Sequence, residues 1–336
     1  MIRLRFGVDD LGQVRFAFSP VWEAVTSIRA LAGSSGLHAP WRAGVRTDAT
    51  DLELLTTVIR PTGYLPDFLH PLPQRQAPGF DAGLAMVAAT DPDLAASELD
   101  HLAHHPRAMQ GPDRDRRYAT LTGFVKRPED GLAQIIAALD RHWRASIAPH
   151  WPRMRALLSA DLAYRLRELG AGGVRRLLRT LHPSVTFDHD TLSIVKYYEG
   201  TADLRGRGLL LVPCVFAWPD VLVRTADPQP AVTYWPRGLG RLWETQTSPE
   251  GTPLADLLGV SRAAILGQLD VPMSTTHLAG QLDLAAPTVN VHLKILERAG
   301  VVASWRDGRT VLYQRTHLGE LLQVGRDNWA AADDGG

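Results

Sequence analysis

The sequence has a single cysteine, no excess of either charge and no long apolar run. Among its 336 residues, Cys214 alone carries a thiol, which excludes an internal disulfide framework and a zinc site built on several cysteines. Lys and Arg together number 36, as do Asp and Glu, so any affinity for nucleic acid must come from local patches. The longest apolar run, residues 209–218, is interrupted by Pro213 and is too short to span a bilayer.

The N-terminus also lacks the apolar core of a signal peptide. Residues 1–6 alternate apolar and charged side chains, as a strand does. We therefore expect a soluble, cytoplasmic protein without membrane contacts. Hydrophobic residues make up 45% of the chain and charged residues 21%, which is typical of a folded protein, and the length predicts roughly two domains.

The N-terminal part of the chain mixes helical and strand-like patterns. Residues 2–8 and 14–18 alternate like strands, and Ser19-Pro20 is the capping pattern of a following helix. Helices are predicted over 51–59, 79–89, 93–104, 128–147, 152–169 and 174–181, with a break at 170–173. Strands are predicted over 185–187, 191–195, 208–212, 220–223 and 231–234. These patterns predict a mixed α+β domain over residues 1–240.

Three short helices are predicted after residue 254. Ser261 is the expected cap of the first, and Ser274-Thr275 opens the second. The third runs from Ala286 to Arg298, and Gly300 suits a left-handed C-cap. The expected inward-facing residues are Ile265, Leu266, Leu269, Leu278, Ala279, Leu282, Val289, Leu293, Ile295 and Leu296.

A β-hairpin is predicted directly after the third helix. Residues 301–305 and 310–314 alternate like strands and flank Asp307-Gly308, a strong hairpin signal. The order of three helices and a hairpin is that of a winged helix-turn-helix, whose third helix can enter the major groove. The sequence thus predicts an α+β chain with a winged helix-turn-helix over 252–325 and a flexible tail over 326–336.

Three blocks of this C-terminal region resemble the ArsR/SmtB winged-helix repressors. The blocks are Thr276-x-Leu278-Ala279; Leu284-x-x-x-Thr288-Val289-x-x-His292-Leu293-x-x-Leu296-x-x-Ala299-Gly300-Val301-Val302; and Arg306-x-Gly308-Arg309-x-Val311-x-Tyr313. The preceding part is similar to the uncharacterised N-terminal domain found before this winged helix in many actinobacterial regulators; residues 19–23, 149–152, 181–183 and 211–219 carry that similarity. The resemblance implies a homodimer that binds double-stranded operator DNA and represses transcription.

The residues expected to contact DNA lie on the second and third helices and on the hairpin. Asn290 can pair with an adenine edge, the Thr288 methyl group can meet a thymine methyl group, and Lys294 can reach phosphate or guanine. Arg306 and Arg309 suit phosphate or minor-groove contacts. The full predicted set is Thr275, Ala286, Pro287, Thr288, Asn290, Val291, Lys294, Arg306 and Arg309.

Two features weaken the predicted DNA contacts. Ala285 stands where many members of the family carry Ser, so the third helix lacks a side-chain cap worth about 1 kcal/mol. The basic residues of the region are also offset by nearby acidic ones, so we expect modest affinity that depends on a dimer. The alternative is a winged helix that binds protein, with an N-terminal domain that serves only to dimerise.

No metal, cofactor or enzyme chemistry is predicted. The family's cysteine metal site has no cysteine here, and His317 with Glu320 offers only half of a zinc site, so a solvated helix face is favoured. His101, His104 and His105 form a surface cluster at a helix end. No nucleophile elbow or comparable signature is present, and Cys214 fits a small core residue.

The N-terminal domain is predicted to hold an effector pocket, to support dimerisation, or to do both. It is far larger than DNA binding requires, and a small-molecule effector is one possible partner. Core packing is the default for its tryptophans, but several can line an apolar pocket: Trp22, Trp41, Trp143, Trp151, Trp218 and Trp235. An excess of arginine over residues 141–179 is either a solvated helical face or a second site for DNA backbone or an anionic effector.

Overall fold

The chain forms two compact units. The computed structural model describes residues 1–33, 36–243, 253–269, 272–282, 284–307 and 310–322. The first unit comprises residues 1–34 and 42–235, and the second comprises residues 35–41 and 236–336. The tail predicted over 326–336 lies outside the described residues. No helix of the described chain is long and apolar enough to cross a membrane.

In the described part of the chain, nine α-helices lie between residues 8 and 179, most of them in the first unit. Helix α2 begins at Pro20 as predicted, because the Ser19 side chain accepts a hydrogen bond from the Trp22 backbone N–H at 3.3 Å. A π-helix, Trp143–Ile147, follows α8. The helices are α1 Val8–Leu11, α2 Pro20–Leu31, α3 Ala39–Ala43, α4 Ala49–Val58, α5 Phe80–Ala88, α6 Pro92–His104, α7 Arg114–Lys126, α8 Pro128–His142 and α9 Trp151–Arg179.

Two four-stranded sheets complete the first unit. The strands are β1 Ile2–Arg5, β2 Val14–Phe16, β3 Val185–Asp188, β4 Thr191–Ile194, β5 Gly200–Asp203, β6 Leu209–Pro213, β7 Leu222–Arg224 and β8 Ala231–Tyr234. One sheet has the order β3-β4-β1-β5, in which only the β1–β5 pair is parallel. The other has the order β2-β6-β8-β7, in which only the β7–β8 pair is antiparallel. Strand β6 is buried along its whole length, as central parallel strands are.

A single core joins both sheets to the C-terminal end of α9. Its buried side chains include Leu4, Leu178, Phe187, Leu192 and Leu211. A buried polar cluster adds to it: the Tyr234 hydroxyl group donates to Asp161 at 2.8 Å, and Arg165 lies 3.4 Å from the same carboxylate. The cluster fixes α9 against β8, because each buried charge there has a partner.

The first unit departs from the sequence-based expectation in several places. The strand predicted over residues 2–8 ends at Arg5, and Val8–Leu11 is helical because the buried Asp10 carboxylate accepts from the Gly7 N–H at 2.7 Å. Helix α7 and strand β5 were not predicted. The predicted helical break at 170–173 is narrower, since only Gly172 and Gly173 leave the helical conformation.

The second unit contains the predicted three helices and hairpin. Its elements are α10 Pro253–Leu258, α11 Val260–Gln268, β9 Met273–Ser274, α12 Thr275–Leu282, α13 Ala286–Arg298, β10 Val302–Asp307 and β11 Thr310–Arg315; residues 317–322 are helical as well. The predicted cap at Ser261 is wrong, because Gly259 precedes α11 with a left-handed φ of 81° and Ser261 lies inside the helix. The Trp243 indole N–H donates to His38 Nδ1 at 3.1 Å and so ties residues 36–38 to this unit.

Candidate DNA-binding surface

Ser274 sets the start of α12, the first helix of the helix-turn-helix. Its hydroxyl oxygen accepts from the His277 backbone N–H at 3.3 Å and lies 2.7 Å from His277 Nδ1. This is the capping arrangement that the sequence predicts for Ser274-Thr275. Ser274 also lies in β9, a short third strand of the hairpin sheet, where it pairs with Leu312 of β11. The sequence did not predict this strand. The cap therefore fixes α12 to the sheet that carries the hairpin.

Helix α13 separates into a buried and an exposed side. Val289, Leu293 and Leu296 are fully or almost fully buried, as their spacing predicts. Ile295 is only half-buried, which corrects its placement on the inner face: it lies two residues from Leu293 and therefore about 200° around the helix. The opposite side of α13 faces solvent along its length.

The first turn of α13 has no side-chain cap. Ala285 occupies the N-cap position with an extended backbone, and its methyl group cannot accept a hydrogen bond. Pro287 lies in the same turn, where its missing N–H costs nothing. The prediction that α13 lacks a side-chain cap is thus confirmed.

Gly300 ends α13 and turns the chain into the hairpin. Its φ of 73° is left-handed, as predicted for this position. The Gly300 N–H donates to Glu297 O at 2.9 Å, and the Val301 N–H donates to Leu296 O at 3.2 Å, which together form a Schellman motif. Val301 and Leu296 are both buried, so the hydrophobic contact of that motif is available as well.

The structure places most of the predicted contact residues on one exposed surface. Asn290, Val291 and Lys294 are exposed on the outer side of α13, with Pro287 and Thr288 exposed in its first turn. Thr275 and Ala286 are half-buried at the starts of their helices. Arg306 is exposed on β10, opposite Val311 of β11. Arg309 lies outside the described residues. DNA contact stays a prediction for all nine residues of the set.

Lys294 forms an ion pair with Glu297. The Lys294 ammonium group lies 2.7 Å from Glu297 Oε2, and this hydrogen bond raises the pKa of Lys294. The Ser304 hydroxyl group donates to the other Glu297 oxygen from the hairpin. Bonding to Lys294 and then to Ser304 lowers the pKa of Glu297. Glu297 therefore connects the outer side of α13 to the hairpin and offsets the charge that was predicted to reach phosphate.

Two further residues of this region are exposed and were not predicted as contacts. Trp305 is 41% exposed on β10, and Arg298 is exposed at the end of α13. Strand alternation could have predicted the exposure of Trp305, since Val302 faces the core and a residue three positions along a strand lies on the other face. Arg298 extends the exposed side of α13 beyond Lys294, whereas Trp305 lies on the hairpin face opposite to that of Arg306.

The comparisons with known proteins agree with this geometry. Residues 254–304, from α10 into β10, match a family described as a helix-turn-helix domain. The chain carries a helix-turn-helix domain. That domain indicates a DNA-binding transcription regulator. Residues 85–238 match a family of unknown function, DUF5937. No curated protein and no solved structure was found to match the chain.

The other candidate clusters take ordinary structural roles. His317 lies 3.9 Å from Glu320, and both are exposed. Within the described residues there is no group of three His, Cys, Asp or Glu side chains that can hold a metal. His101 and His104 are exposed at the end of α6, as the predicted surface cluster requires, and His101 meets Tyr64 edge to face with ring centroids 4.6 Å apart.

Four of the nine arginines in the arginine-rich stretch pair with carboxylates. Arg141 makes a bidentate contact with Asp51, with both N–O distances at 2.7 Å. Arg176 pairs with Glu168, and Arg165 lies in the buried cluster with Asp161. These pairs favour the solvated helical face among the alternatives for this stretch, because a paired guanidinium group offers less charge to DNA backbone.

One cavity of about 470 Å³ lies in the first unit. Trp22 borders it, whereas the remaining tryptophans of the predicted set do not. Trp218 packs against Trp235, with ring centroids 4.8 Å apart, and Trp143 against Trp151 at 5.5 Å. Of the predicted set, Trp22 therefore lines this cavity, and core packing accounts for Trp143, Trp218 and Trp235, which are buried.

Proposed function

We propose that the chain is a sequence-specific repressor of the ArsR/SmtB-like type that binds operator DNA as a homodimer. The observation that carries the proposal is the exposed side of α13, which presents Thr288, Asn290 and Val291 beside the Arg306 hairpin. Amide and methyl groups at such positions are the groups that read base edges in the major groove. Exposed arginine beside them supplies backbone contacts.

The proposed mechanism needs two copies of the second unit. Each α13 lies in one major groove, and the two grooves are one helical turn, or about 34 Å, apart. A dimer is supported by exposed apolar side chains of the second unit: Leu257 is 70% exposed on α10, and Leu318 and Leu321 are exposed in the helical residues 317–322. Leu318 and Leu321 are three residues apart and so share one side of these helical residues, where they offer an apolar contact to a second copy.

We further propose that the first unit senses an effector. Its cavity has the size of a small-molecule site. A ligand there lowers DNA affinity only if it binds the free and DNA-bound states differently, by about 1–3 kcal/mol. Without such a ligand, the first unit serves dimerisation alone.

The second candidate function is a protein-interaction surface. Val291 on α13 is 59% exposed and Trp305 on the hairpin 41%, and Lys294 is already paired with Glu297. An apolar surface with offset charges also suits a protein partner. Salt dependence separates the two functions, because displacement of counterions from DNA gives a steep dependence on salt.

Three variants test the DNA-binding surface. Asn290→Ala is expected to relax base preference at one position, at a cost of about 1–3 kcal/mol. Lys294→Ala and Arg306→Ala are expected to weaken binding to all duplexes and to lower the salt slope by about one unit each. Fluorescence anisotropy with duplexes selected from a random pool measures both effects.

The matched control is Arg116→Ala, which removes an exposed arginine on α7 that pairs with Glu53. It is expected to leave DNA binding unchanged. Equal affinity in all four proteins would exclude the proposed surface.

A further inference from the structure

The cavity of the first unit is lined on one side by a single face of α2. Trp22, Val25, Thr26 and Arg29 all border it, at the i, i+3, i+4 and i+7 spacing of one helical stripe. The Trp22 indole N–H donates to Pro71 O at 2.9 Å, which fixes the ring. The opposite walls come from the loop 61–67 and from residues 196–198 and 220–225. The cavity is thus bordered by α2 on one side and by loops and strand β7 on the other.

The cavity contains more positive than negative charge. Lys196 pairs with Asp220 at 2.5 Å, and Arg224 lies 3.4 Å from Asp67. The Lys196 side chain is only 7% exposed, whereas the carboxylate of its partner Asp220 is 52% exposed. With the third cation, Arg29, the lining has one more cation than carboxylates.

Arg29 carries the unmatched charge. Its Nη2 donates to the backbone oxygen of Pro61 at 3.0 Å, and no ion pair joins it to a carboxylate in the described part of the chain. Burial lowers the pKa of Arg29, and the nearby charge of Asp220 works in the opposite direction. A guanidinium group stays charged in such a site and presents a planar fork that matches a carboxylate. An anion beside Arg29 would therefore balance the cavity.

His70 adds a polar group without adding charge. Burial lowers the pKa of His70 to about 4, so its ring is neutral near pH 7. Its Nδ1 is buried and has no hydrogen-bond partner among the described residues. A buried polar atom without a partner is costly, and a ligand group that bonds to it removes that cost.

Aromatic rings line the rest of the cavity. Trp22 and His70 lie with ring centroids 5.4 Å apart and planes tilted by 58°. Tyr197 and Tyr198 meet edge to face at 4.9 Å, and Tyr64 closes the loop side. Rings at these angles favour a flat, unsaturated ligand, which can stack on one ring and meet the edge of another.

We propose that this cavity binds a planar aromatic carboxylate, with the carboxylate on Arg29 and the ring system against Trp22 and Tyr197. This assignment gives the chemical class of the effector. Its link to DNA rests on the proposed function, whereas binding of the ligand to the cavity does not. One negative charge matches Arg29, the cation of the described lining that has no carboxylate partner among the described residues, and the volume accommodates two or three fused rings.

The test is calorimetric titration of the full-length protein, without DNA, using 1-naphthoate and its neutral isostere 1-naphthamide. We expect saturable binding of naphthoate and binding of the amide weaker by about tenfold or more, because only the carboxylate pairs with Arg29. Equal affinity for both probes overturns the proposal. So does the absence of naphthoate binding up to about 1 mM.

A variant locates the ligand. Arg29→Gln is expected to weaken naphthoate binding by about tenfold or more and to leave naphthamide binding unchanged. Arg144→Gln, which removes an exposed arginine paired with Asp140, is the matched control and is expected to bind naphthoate like the wild type. Unchanged naphthoate binding by a folded Arg29→Gln variant overturns the assignment. If that variant fails to fold, the comparison of the two probes on the wild type still decides.

The link to transcription is measured separately. Naphthoate is titrated into the complex of the protein with labelled DNA, and release of the DNA is followed by anisotropy. A failure to bind DNA at all contradicts the proposed function and leaves the calorimetric result intact. A failure to bind naphthoate contradicts the cavity assignment and leaves DNA binding intact.

Discussion

Glu23 is a carboxyl group enclosed by the residues that follow β6. Its Oε1 accepts from the Val215 N–H at 2.8 Å, and its Oε2 accepts from the Cys214 thiol at 3.2 Å. Burial outweighs these bonds and raises the pKa of Glu23 to about 7. Cys214 in turn is a buried thiol whose pKa is raised, first by burial and then by the charge of Glu23, in keeping with the core role that the sequence predicts for it.

Glu23 gives stability a defined pH dependence. Its folded-state pKa is above the value of 4.5 for an unperturbed Glu, so its contribution is complete below about pH 4.5 and is lost as the pH rises through about 7. Glu23→Gln removes this titration. Relative to the wild type, the variant is expected to gain about 3 kcal/mol of unfolding free energy between about pH 4 and about pH 8.

Urea unfolding at several pH values, followed by circular dichroism, measures this difference. The contributions of the buried histidines, such as His142 with its pKa lowered to about 4 by burial, cancel because both proteins contain them. Glu53→Gln, at an exposed position on α4, is the control and is expected to show no such trend. A difference between Glu23→Gln and the wild type that does not vary with pH contradicts the argument.

At the scale of elements, α13 has a well-determined end and a weak beginning. The Schellman motif at Gly300 satisfies its last carbonyl groups, whereas Ala285 leaves the first N–H groups without a side-chain acceptor. Both features were predicted from the sequence, because caps depend on a few neighbouring residues. The half-buried state of Ile295 was not predicted, although the helical period already places it about 200° from Leu293.

A serine cap is expected to stabilise α13. Ala285→Ser places a hydroxyl oxygen where it can accept from the Thr288 N–H, since Pro287 has none, and should add about 1 kcal/mol. Hydrogen exchange of the α13 amide groups is then expected to slow by about fivefold. Ala299→Ser, at the opposite end of the helix, should leave exchange unchanged. Equal exchange in the two variants would show that the first turn is already satisfied.

The contact between α13 and the hairpin leads to a second prediction at this scale. Glu297→Gln removes the partner of Lys294 and one negative charge from the proposed DNA surface. We expect affinity for unrelated duplexes to rise by about threefold or more, with a steeper salt slope, because a freed lysine displaces more counterions. Glu320→Gln removes the same charge from the helical residues 317–322 and serves as the control. A rise of the same size in both variants would assign the effect to net charge alone.

At the scale of the whole molecule, the two units differ in how far the sequence predicts them. The order of helices and hairpin in the second unit follows from local signals, such as Ser274, Gly300 and the strands around Asp307-Gly308. In the first unit, β1 pairs with residues 191–194 and 200–203, far along the chain. Strand β5 has a sequence, Gly-Thr-Ala-Asp, with little strand propensity, and only this distant pairing makes it a strand.

The cavity also depends on contacts between residues that are far apart in the sequence. Its lining combines α2 with residues beyond position 60 and others beyond position 195, and no local pattern joins them. The tryptophans suggested a pocket from composition alone, and only Trp22 borders this one. The proposed contact residues on α13 were within reach of sequence analysis, because the period of one helix separates its inner from its outer side.

The most direct test of a sequence-specific DNA-binding regulator is one anisotropy titration. Full-length protein is titrated onto a duplex from the region upstream of its own gene, in the presence of excess unrelated DNA and at several salt concentrations. We expect a complex that resists the competitor and weakens steeply with salt. A complex that unrelated DNA removes completely, or one that is indifferent to salt, would contradict it.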